Sequence, residues 1–269
     1  MRKIFQFDTN KCVGCHACVV ACSIENKTEL PIIWREVNTF NQFHYPELAV
    51  FHYSLACNHC NDAPCMYNCP ALAYTKDLLS GAVVHNQNHC IGCKYCTWAC
   101  PYDAPKFNKN KGIVEKCTFC INRTSEGLSP ACTNLCPTGA LSYVEKSDFQ
   151  ITETKIGFND YGIEPSINII TLRTENLKPE IIPEIKRPKN IVEKDIHESK
   201  ITFKKEWALV FFTIIVAYLV ADFFAMHYSN TEVNSYIFVL LNALAGFFSF
   251  FHLGKKIRAY RAFLNLKNS

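Results

Sequence analysis

The sequence predicts an α+β protein with a cysteine-rich head, an extended linker and a C-terminal pair of apolar helices. Two observations predict this order. All 16 cysteines lie between Cys12 and Cys136. Two apolar runs, at residues 207–228 and 236–253, follow towards the C-terminus and are separated by a short polar segment. The predicted division is a head over 1–164, a linker over 165–205, a helical hairpin over 206–254 and a basic amphipathic tail over 255–269.

The head contains short runs rich in β-branched and aromatic residues, which are typical of strands. These runs cover residues 4–7, 48–53, 82–85 and 140–144. Residues 176–205 differ in composition, because Lys, Arg and Glu alternate there with prolines and no apolar periodicity is present. Such a segment is expected to be extended and solvated.

The composition excludes several functional classes. A disulfide framework needs a secreted chain, and the first residues, MRKIFQFDTN, contain neither an apolar signal core nor a twin-arginine leader. We therefore expect a reducing compartment, in which the thiols act as ligands. The net charge is only +4 and there is no basic-aromatic repeat, so no nucleic-acid partner is expected. Phosphate-binding loops and the common hydrolase motifs are also absent from the sequence.

The cysteines fall into four groups of four. The groups are Cys12, Cys15, Cys18, Cys22; Cys57, Cys60, Cys65, Cys69; Cys90, Cys93, Cys96, Cys100; and Cys117, Cys120, Cys132, Cys136. The first and third groups follow C-x2-C-x2-C-x3-C, and three groups end in Cys-Pro, as in bacterial two-cluster ferredoxins. The short spacings wrap a loop around a cubane so that three thiolates reach three irons. The fourth cysteine remains free to reach a second cubane, and the pattern therefore predicts [4Fe–4S] clusters.

Zinc is the competing metal, because C-x2-C pairs also build tetrahedral structural sites. Zinc sites use pairs, whereas here three close cysteines and a more distant fourth recur four times. His16 and His59 lie inside the motifs and could replace a cysteine, as in Rieske centres. No group lacks a cysteine, so both histidines are expected to be loop residues. Trp98, between two cysteines of the third group, is expected to pack rather than to transfer electrons.

Several longer phrases make the head resemble a known family. They are Cys57-Asn58-His59-Cys60 with Pro64-Cys65; Cys90-Ile91-Gly92-Cys93 with Ala99-Cys100-Pro101-Tyr102; and Lys116-Cys117-Thr118-Phe119-Cys120 with Arg123, Gly127, Pro130 and Cys132. Residues 1–164 resemble the four-cluster iron–sulfur subunits of membrane-bound molybdopterin oxidoreductases of the dimethyl sulfoxide, polysulfide and sulfite-oxidising type. The resemblance implies two interlocked ferredoxin-like halves. It also implies a position between a catalytic subunit holding molybdenum or tungsten and a quinone-reactive integral membrane subunit.

The same resemblance, with the ferredoxin exchange of the fourth cysteine, implies how the ligands are shared. The implied sets are Cys12, Cys15, Cys18 with Cys136; Cys117, Cys120, Cys132 with Cys22; Cys57, Cys60, Cys65 with Cys100; and Cys90, Cys93, Cys96 with Cys69. Some relatives replace a third-group cysteine by tryptophan and bind a [3Fe–4S] cluster. All four cysteines are present here, so four [4Fe–4S] clusters are expected.

The two C-terminal runs predict a transmembrane hairpin in the lipid bilayer. Helices of 22 and 18 residues would be about 33 and 27 Å long, close to the ~30 Å hydrocarbon thickness. A buried pair of helices in a soluble protein is the alternative. Asp222 and Asn242 would lie at similar depth, either as a proton or quinone site or as a hydrogen bond between the helices. The spacing of Ala217, Ala221 and Ala225 favours close contact of the two helices.

The positive-inside rule predicts which side of the membrane the head occupies. Basic residues precede the first apolar run and follow the second, whereas the connecting segment 229–235 has none. They are Lys204, Lys205, Lys255, Lys256, Arg258 and Arg261. Both termini are therefore expected on the cytoplasmic side of a bacterial inner membrane. The tail is expected to be a helix lying on the anionic membrane surface.

These features predict a non-catalytic electron-transfer subunit. It would relay electrons between a molybdopterin catalytic subunit and a membrane quinone-reactive partner. The equivalent subunit of a membrane-bound hydrogenase or formate dehydrogenase would share this head and is the first alternative. A zinc-stabilised structural module is the second.

Overall fold

The computed structural model describes residues 3–41, 49–145, 158–172, 201–229 and 235–265. The head is α+β and the C-terminal part is helical. In chain order the elements are β1 (Lys3–Asp8), α1 (Ala17–Asn26), β2 (Glu36–Phe40), β3 (Phe51–Leu55), α2 (Pro64–Tyr67), β4 (Tyr74–Lys76), β5 (Val83–His85), α3 (Tyr95–Ala99), β6 (Lys106–Asn108), β7 (Ile113–Glu115), α4 (Ile121–Thr124), α5 (Ala131–Asn134), β8 (Leu141–Glu145), β9 (Ile167–Ile170), α6 (Phe203–Ser229), α7 (Ser235–Phe251) and a 3₁₀ helix (Lys256–Asn265).

A three-stranded sheet joins the two ends of the head. β1 pairs antiparallel with β8 and parallel with β9, so that Phe5 lies opposite both Tyr143 and Ile167. Phe5 and Phe7 are fully buried, whereas Gln6 between them is partly exposed, as the alternation of a half-buried strand requires. The remaining strands form the hairpins β2–β3, β4–β5 and β6–β7. The sheet therefore brings the first cysteine group close to the last one.

The predicted strands agree in part with these elements. Residues 4–7 lie within β1, residues 82–85 include β5, and residues 140–144 overlap β8. The predicted strand at 48–53 overlaps β3, and its residue 48 lies outside the described residues. Strand β9 lies inside the range 165–205 that was predicted as linker, and its pairing with β1 makes it part of the sheet. Most of that range, residues 173–200, lies outside the described residues.

Three of the helices in the head begin directly after a residue in the left-handed conformation. These residues are His16 before α1, Lys94 before α3 and Cys120 before α4, with φ angles of 61°, 66° and 50°. A left-handed residue turns the chain sharply between a cysteine loop and a helix. In the first and third groups the first two cysteines therefore lie in the loop and the third lies in the helix. In the first group the fourth cysteine also lies in the helix, α1.

Helices α6 and α7 pack against each other through an aromatic cluster near the start of one and the end of the other. The ring of Phe248 lies 6.0 Å from Trp207 and 5.5 Å from Phe211. Ala208, Leu219 and Ala245 are buried. One described helix, Phe203–Met226, is long and apolar enough to cross a membrane, and Ser235–Phe251 reaches that length only with Lys256–Ala262, from which it is bent by 115°.

Two expectations about this helix pair are wrong. Ala217, Ala221 and Ala225 are exposed, because they lie on the side of α6 opposite to the buried Leu219. The aromatic contacts between the two helices, and the buried Ala208, lie away from these three alanines. The Asn242 amide donates to the carbonyl of Phe238 one turn earlier in its own helix. The predicted hydrogen bond between helices at Asn242 is thus replaced by a bond within α7.

Candidate iron–sulfur sites

The first site lies nearest to the surface of the head. Cys12, Cys15, Cys18 and Cys136 line one recess. The first three cysteines come from the loop after β1 and the start of α1, and Cys136 comes from the turn before β8. The β1–β8 pairing brings these two segments together. Cys15 is exposed, and Cys12 and Cys136 are partly exposed.

The second site is buried. Cys57, Cys60, Cys65 and Cys100 line one recess, and none of the four is more than 9 % exposed. Cys100 comes from the third group, directly after α3. The backbone N–H of His59 donates to the Cys57 sulfur at 3.4 Å. This bond is of the kind that tunes an iron–sulfur site.

The third site combines the first three cysteines of the third group with Cys69. Electrostatic interactions link Cys69 to Cys90 and Cys93, and Cys96 to Cys90 and Cys93. Backbone N–H groups again point at the sulfurs, since Gly92 donates to Cys90 at 3.4 Å and Ala73 donates to Cys69 at 3.3 Å. All four cysteines are buried.

The fourth site combines Cys117, Cys120 and Cys132 with Cys22, which is distant in the sequence. Cys22 interacts electrostatically with the other three. The side-chain amide of Asn26 lies 3.7 Å from the Cys22 sulfur and 3.8 Å from the Cys120 sulfur. This amide therefore connects helix α1 with the loop of the fourth group.

The four sites form a row, because cysteines of neighbouring sites belong to the same packed clusters of buried residues. Electrostatic interactions link Cys132 of the fourth site with Cys18 of the first, and Cys117 of the fourth with Cys57 of the second. Cys96 of the third site interacts with Cys65 of the second. The order along the row is thus first, fourth, second, third.

The donor chemistry fits iron–sulfur clusters. Burial raises the pKa of Cys22 and of Cys93 to about 12, so these thiols would stay protonated without a metal. Metal binding deprotonates such thiols and replaces a buried S–H by a metal–thiolate bond. Within the described part of the chain, no three His, Cys, Asp or Glu side chains are spaced to hold a single metal ion. Zinc would need its sulfurs gathered at about 2.3 Å around one point, and a cubane holds them further apart.

Two buried cations lie between the sites. Arg35 and Lys116 are each 1 % exposed. Arg35 interacts with Cys18 of the first site and with Cys22, Cys117 and Cys132 of the fourth. Buried charges need compensating charges of opposite sign, and metal-bound thiolates supply them.

Lys116 occupies the equivalent position between the second and fourth sites. Its Nζ donates to the Cys57 sulfur at 3.4 Å, to the Cys117 carbonyl at 2.9 Å and to the carbonyl of Val83. Burial alone would lower the pKa of Lys116, but the sulfurs of Cys57, Cys65 and Cys117 raise it overall. Metal-bound thiolates at these positions would supply the negative charge that keeps the lysine charged.

The structure also places the other residues singled out in the sequence. His59 is fully buried, accepts a hydrogen bond from the Val83 N–H through Nδ1 and lies 3.7 Å from the Phe119 ring. His16 forms the left-handed turn before α1. Trp98 packs on Tyr95 with 5.2 Å between ring centroids. Sequence reasoning missed Arg35 and the role of Lys116, although a lysine that directly precedes a cysteine of the fourth group was a usable signal.

The family model for a 4Fe–4S dicluster domain matches residues 48–146. The sequence is 34 % identical to an anaerobic dimethyl sulfoxide reductase chain of Haemophilus influenzae, over 61 % of this chain and 80 % of the relative. The protein belongs to the iron–sulfur subunits of the dimethyl sulfoxide reductase type. A tetrathionate reductase subunit of Salmonella typhimurium is 40 % identical over 49 % of this chain and 54 % of its own length. A sulfite dehydrogenase subunit of Allochromatium vinosum is 33 % identical over 58 % of this chain and 73 % of its own length.

Membership of this family confirms the resemblance found in the sequence. As an iron–sulfur subunit of the dimethyl sulfoxide reductase type, the protein binds 4Fe–4S clusters and transfers electrons. It is not the catalytic subunit, because catalytic activity resides in another chain of such complexes.

Proposed function

We propose that this subunit relays electrons through four [4Fe–4S] clusters between a molybdopterin catalytic subunit and a quinone-reactive integral membrane subunit. The observation that carries the proposal is the row of four cysteine sites, which begins at the exposed Cys15 and ends beside the helix pair. Bound clusters supply one-electron transfer between neighbouring positions. The protein supplies the burial, the N–H···S bonds and the buried cations that set the potentials.

The proposed ligands follow the four sites. The sets are Cys12, Cys15, Cys18 with Cys136; Cys117, Cys120, Cys132 with Cys22; Cys57, Cys60, Cys65 with Cys100; and Cys90, Cys93, Cys96 with Cys69. In each set the fourth cysteine comes from another group, as in two-cluster ferredoxins. The proximity of Cys22 to Cys120, bridged by the Asn26 amide, supports this exchange.

The first site is the proposed end for electron exchange with the catalytic subunit. Large apolar side chains near this end are exposed, including Val13 at 64 %, Ile24 at 73 % and Leu135 at 57 %. Exposed apolar residues around a partly exposed redox site are typical of a protein contact surface. A molybdopterin subunit covering this surface would shield Cys15 and receive electrons over a short distance.

The third site is the proposed membrane end. Lys94, next to Cys93, forms an ion pair with Glu206 at the start of α6, with 2.5 Å between Nζ and Oε1. Tyr95 lies 6.1 Å from the ring of His252, just after α7. We propose that α6 and α7 cross the lipid bilayer of a bacterial inner membrane as a hairpin, with the head on the cytoplasmic side. The tail would lie on the membrane surface, and the exposure of Ile257, at 94 %, supports this placement.

An affinity-tagged full chain isolated anaerobically from its native membrane tests the proposal. We expect a molybdenum- or tungsten-containing protein to copurify and a short-chain quinone to reoxidise the reduced clusters. Copurification of a nickel–iron hydrogenase instead would favour the alternative complex. A protein that contains mainly zinc and has no visible absorption would contradict the proposed function.

A further inference from the structure

The segment after α7 is bonded directly to the cysteine loop of the third site. The backbone N–H of Lys255 donates to the Ile91 carbonyl at 2.8 Å, and that of Gly254 donates to the Gly92 carbonyl at 3.3 Å. The neighbouring Leu253 and Ala262 pack on the apolar core around this site. The C-terminal end of the helix pair thus contacts the backbone of the loop that carries Cys90 and Cys93.

Three glycines make this contact possible. A Cβ atom on Gly254 would lie 2.2 Å from the Gly112 carbonyl oxygen, and one on Gly92 would lie 2.8 Å from the Gly254 Cα. Gly92 also has a φ of +70°, which side chains with a Cβ rarely adopt. A larger residue at position 254 would have to lift the segment off the loop, because the opposing atoms belong to the backbone.

Arg258 follows this contact and reaches the same loop. Its Nη1 donates to the Gln87 carbonyl at 2.8 Å and to the Cys90 carbonyl at 3.1 Å. A cation bonded to the peptide of a cluster ligand stabilises the more negatively charged, reduced state of that cluster. Its charge therefore raises the reduction potential of whatever cluster Cys90 holds.

The third site differs from the others in the origin of its cation. Arg35 and Lys116 come from within the head and interact with cysteines of the first, second and fourth sites. Lys94 beside the third site is paired with Glu206, which offsets its charge. Arg258 comes from beyond the helix pair and bonds to carbonyl groups.

We propose that Arg258 is a positioning residue that raises the reduction potential of the third-site cluster only when the Gly254 contact holds the helix pair against the head. The inference rests on the proposed cluster at that site. Correct seating of the helices thereby makes the membrane end of the row a better electron acceptor. Without the Gly254 contact, the third-site cluster would have a lower reduction potential and would be a weaker electron acceptor for the membrane partner.

The test is redox titration of the anaerobic full chain, followed by electron paramagnetic resonance. The third-site signal is first assigned as the one lost in Cys93→Ser. Arg258→Gln should shift this midpoint potential to more negative values and leave the other three unchanged. Arg258→Lys keeps the charge, and its midpoint potential should lie between those of Arg258→Gln and the unsubstituted protein. Gly254→Val should shift the potential in the same direction, and in the double variant the shift should be smaller than the sum of the two single shifts, because lifting the segment also removes the Arg258 bonds.

Lys256→Gln is the matched control. It removes the same charge from the same segment, but its ammonium group lies over the Phe251 ring at 4.6 Å rather than on the cysteine loop. An unchanged third-site potential in Arg258→Gln, or a shift equal to that of Lys256→Gln or shared by all four signals, would overturn the inference. Absence of the third-site signal from the unsubstituted protein would instead contradict the proposed function.

Discussion

The Nζ atom of Lys116 lies 3.4 Å from the Cys57 sulfur, and the lysine side chain is fully enclosed by the head. Arg35 repeats this relationship, with its guanidinium among the sulfurs of the first and fourth sites and 4.7 Å above the Phe5 ring. A buried cation without an anion would strongly destabilise the fold. The clusters therefore balance charges that the sequence places in the core, and cluster binding and folding are coupled.

Replacing Lys116 by Met should shift the potentials of the second and fourth clusters to more negative values. The reason is that the ammonium group interacts with Cys57, Cys65 and Cys117 and stabilises the reduced clusters. Redox titration with electron paramagnetic resonance measures the shift. Lys11→Met is the control, since the Lys11 side chain is 59 % exposed and pairs only weakly with Asp8 at 3.8 Å. Equal effects of the two substitutions would contradict the assigned role of Lys116.

Replacing Arg35 by Met should destabilise the cluster-loaded protein. Loss of one partner from a buried charge pair typically costs about 3–5 kcal/mol. Arg123→Met removes the surface ion pair with Glu25 and should cost about 0.2–1 kcal/mol. Anaerobic thermal unfolding of both variants, with cluster absorbance and circular dichroism recorded together, gives the comparison. If Arg35→Met unfolded no earlier than Arg123→Met, Arg35 would not be balancing cluster charge.

Replacing Cys22 by Ser should damage the cluster held mainly by Cys117, Cys120 and Cys132. Cys22 lies about one turn along α1 from Cys18, yet its sulfur shares the Asn26 amide with Cys120. Cys136→Ser is the matched variant and should damage the first-site cluster instead. Resonances assigned by single-group substitutions distinguish the two outcomes. Loss of the first-site signal in Cys22→Ser would show that the fourth cysteine stays with its own group.

The orientation of the head is tested by two reporter fusions. Alkaline phosphatase placed within residues 229–235 should be active, because that segment is expected outside the cytoplasm. The same enzyme fused after Ser269 should be inactive, because both basic flanks are expected inside. A cytosolic reporter at the same two positions provides the reciprocal control. Phosphatase activity at the C-terminus would place the head on the opposite side.

The sequence predicts the head well because cysteine spacing carries information on metal chemistry. The motifs alone indicate three ligands from one cysteine group for each cluster, and β1, β5 and β8 follow from short β-rich runs. Strand β9 is harder to predict, because it is only four residues long and its pairing with β1 joins positions more than 150 residues apart. Local patterns contain no information about such a partner.

The burial of the interior cations and the contact between α6 and α7 also depend on tertiary structure, so local sequence patterns do not predict them. Nothing around Arg35 in the sequence indicates that it will be buried between two cysteine sites. The small residues of α6 predicted a helix contact, but the buried Ala208 and Leu219 lie on another side of α6, where Phe211 packs on Phe248 of α7. Side-chain size alone does not decide which face of an all-apolar helix finds a partner.

Metal and sulfide analysis of the anaerobically purified full chain tests the central claim most directly. Each cubane needs four cysteines, so the 16 cysteines predict about 16 irons and 16 acid-labile sulfides per chain. The reduced protein should show four magnetically interacting clusters in a ratio of one each. About 15 irons with a [3Fe–4S] resonance in fresh, untreated protein would contradict the assignment of four cubanes, and a protein containing mostly zinc would contradict the account as a whole.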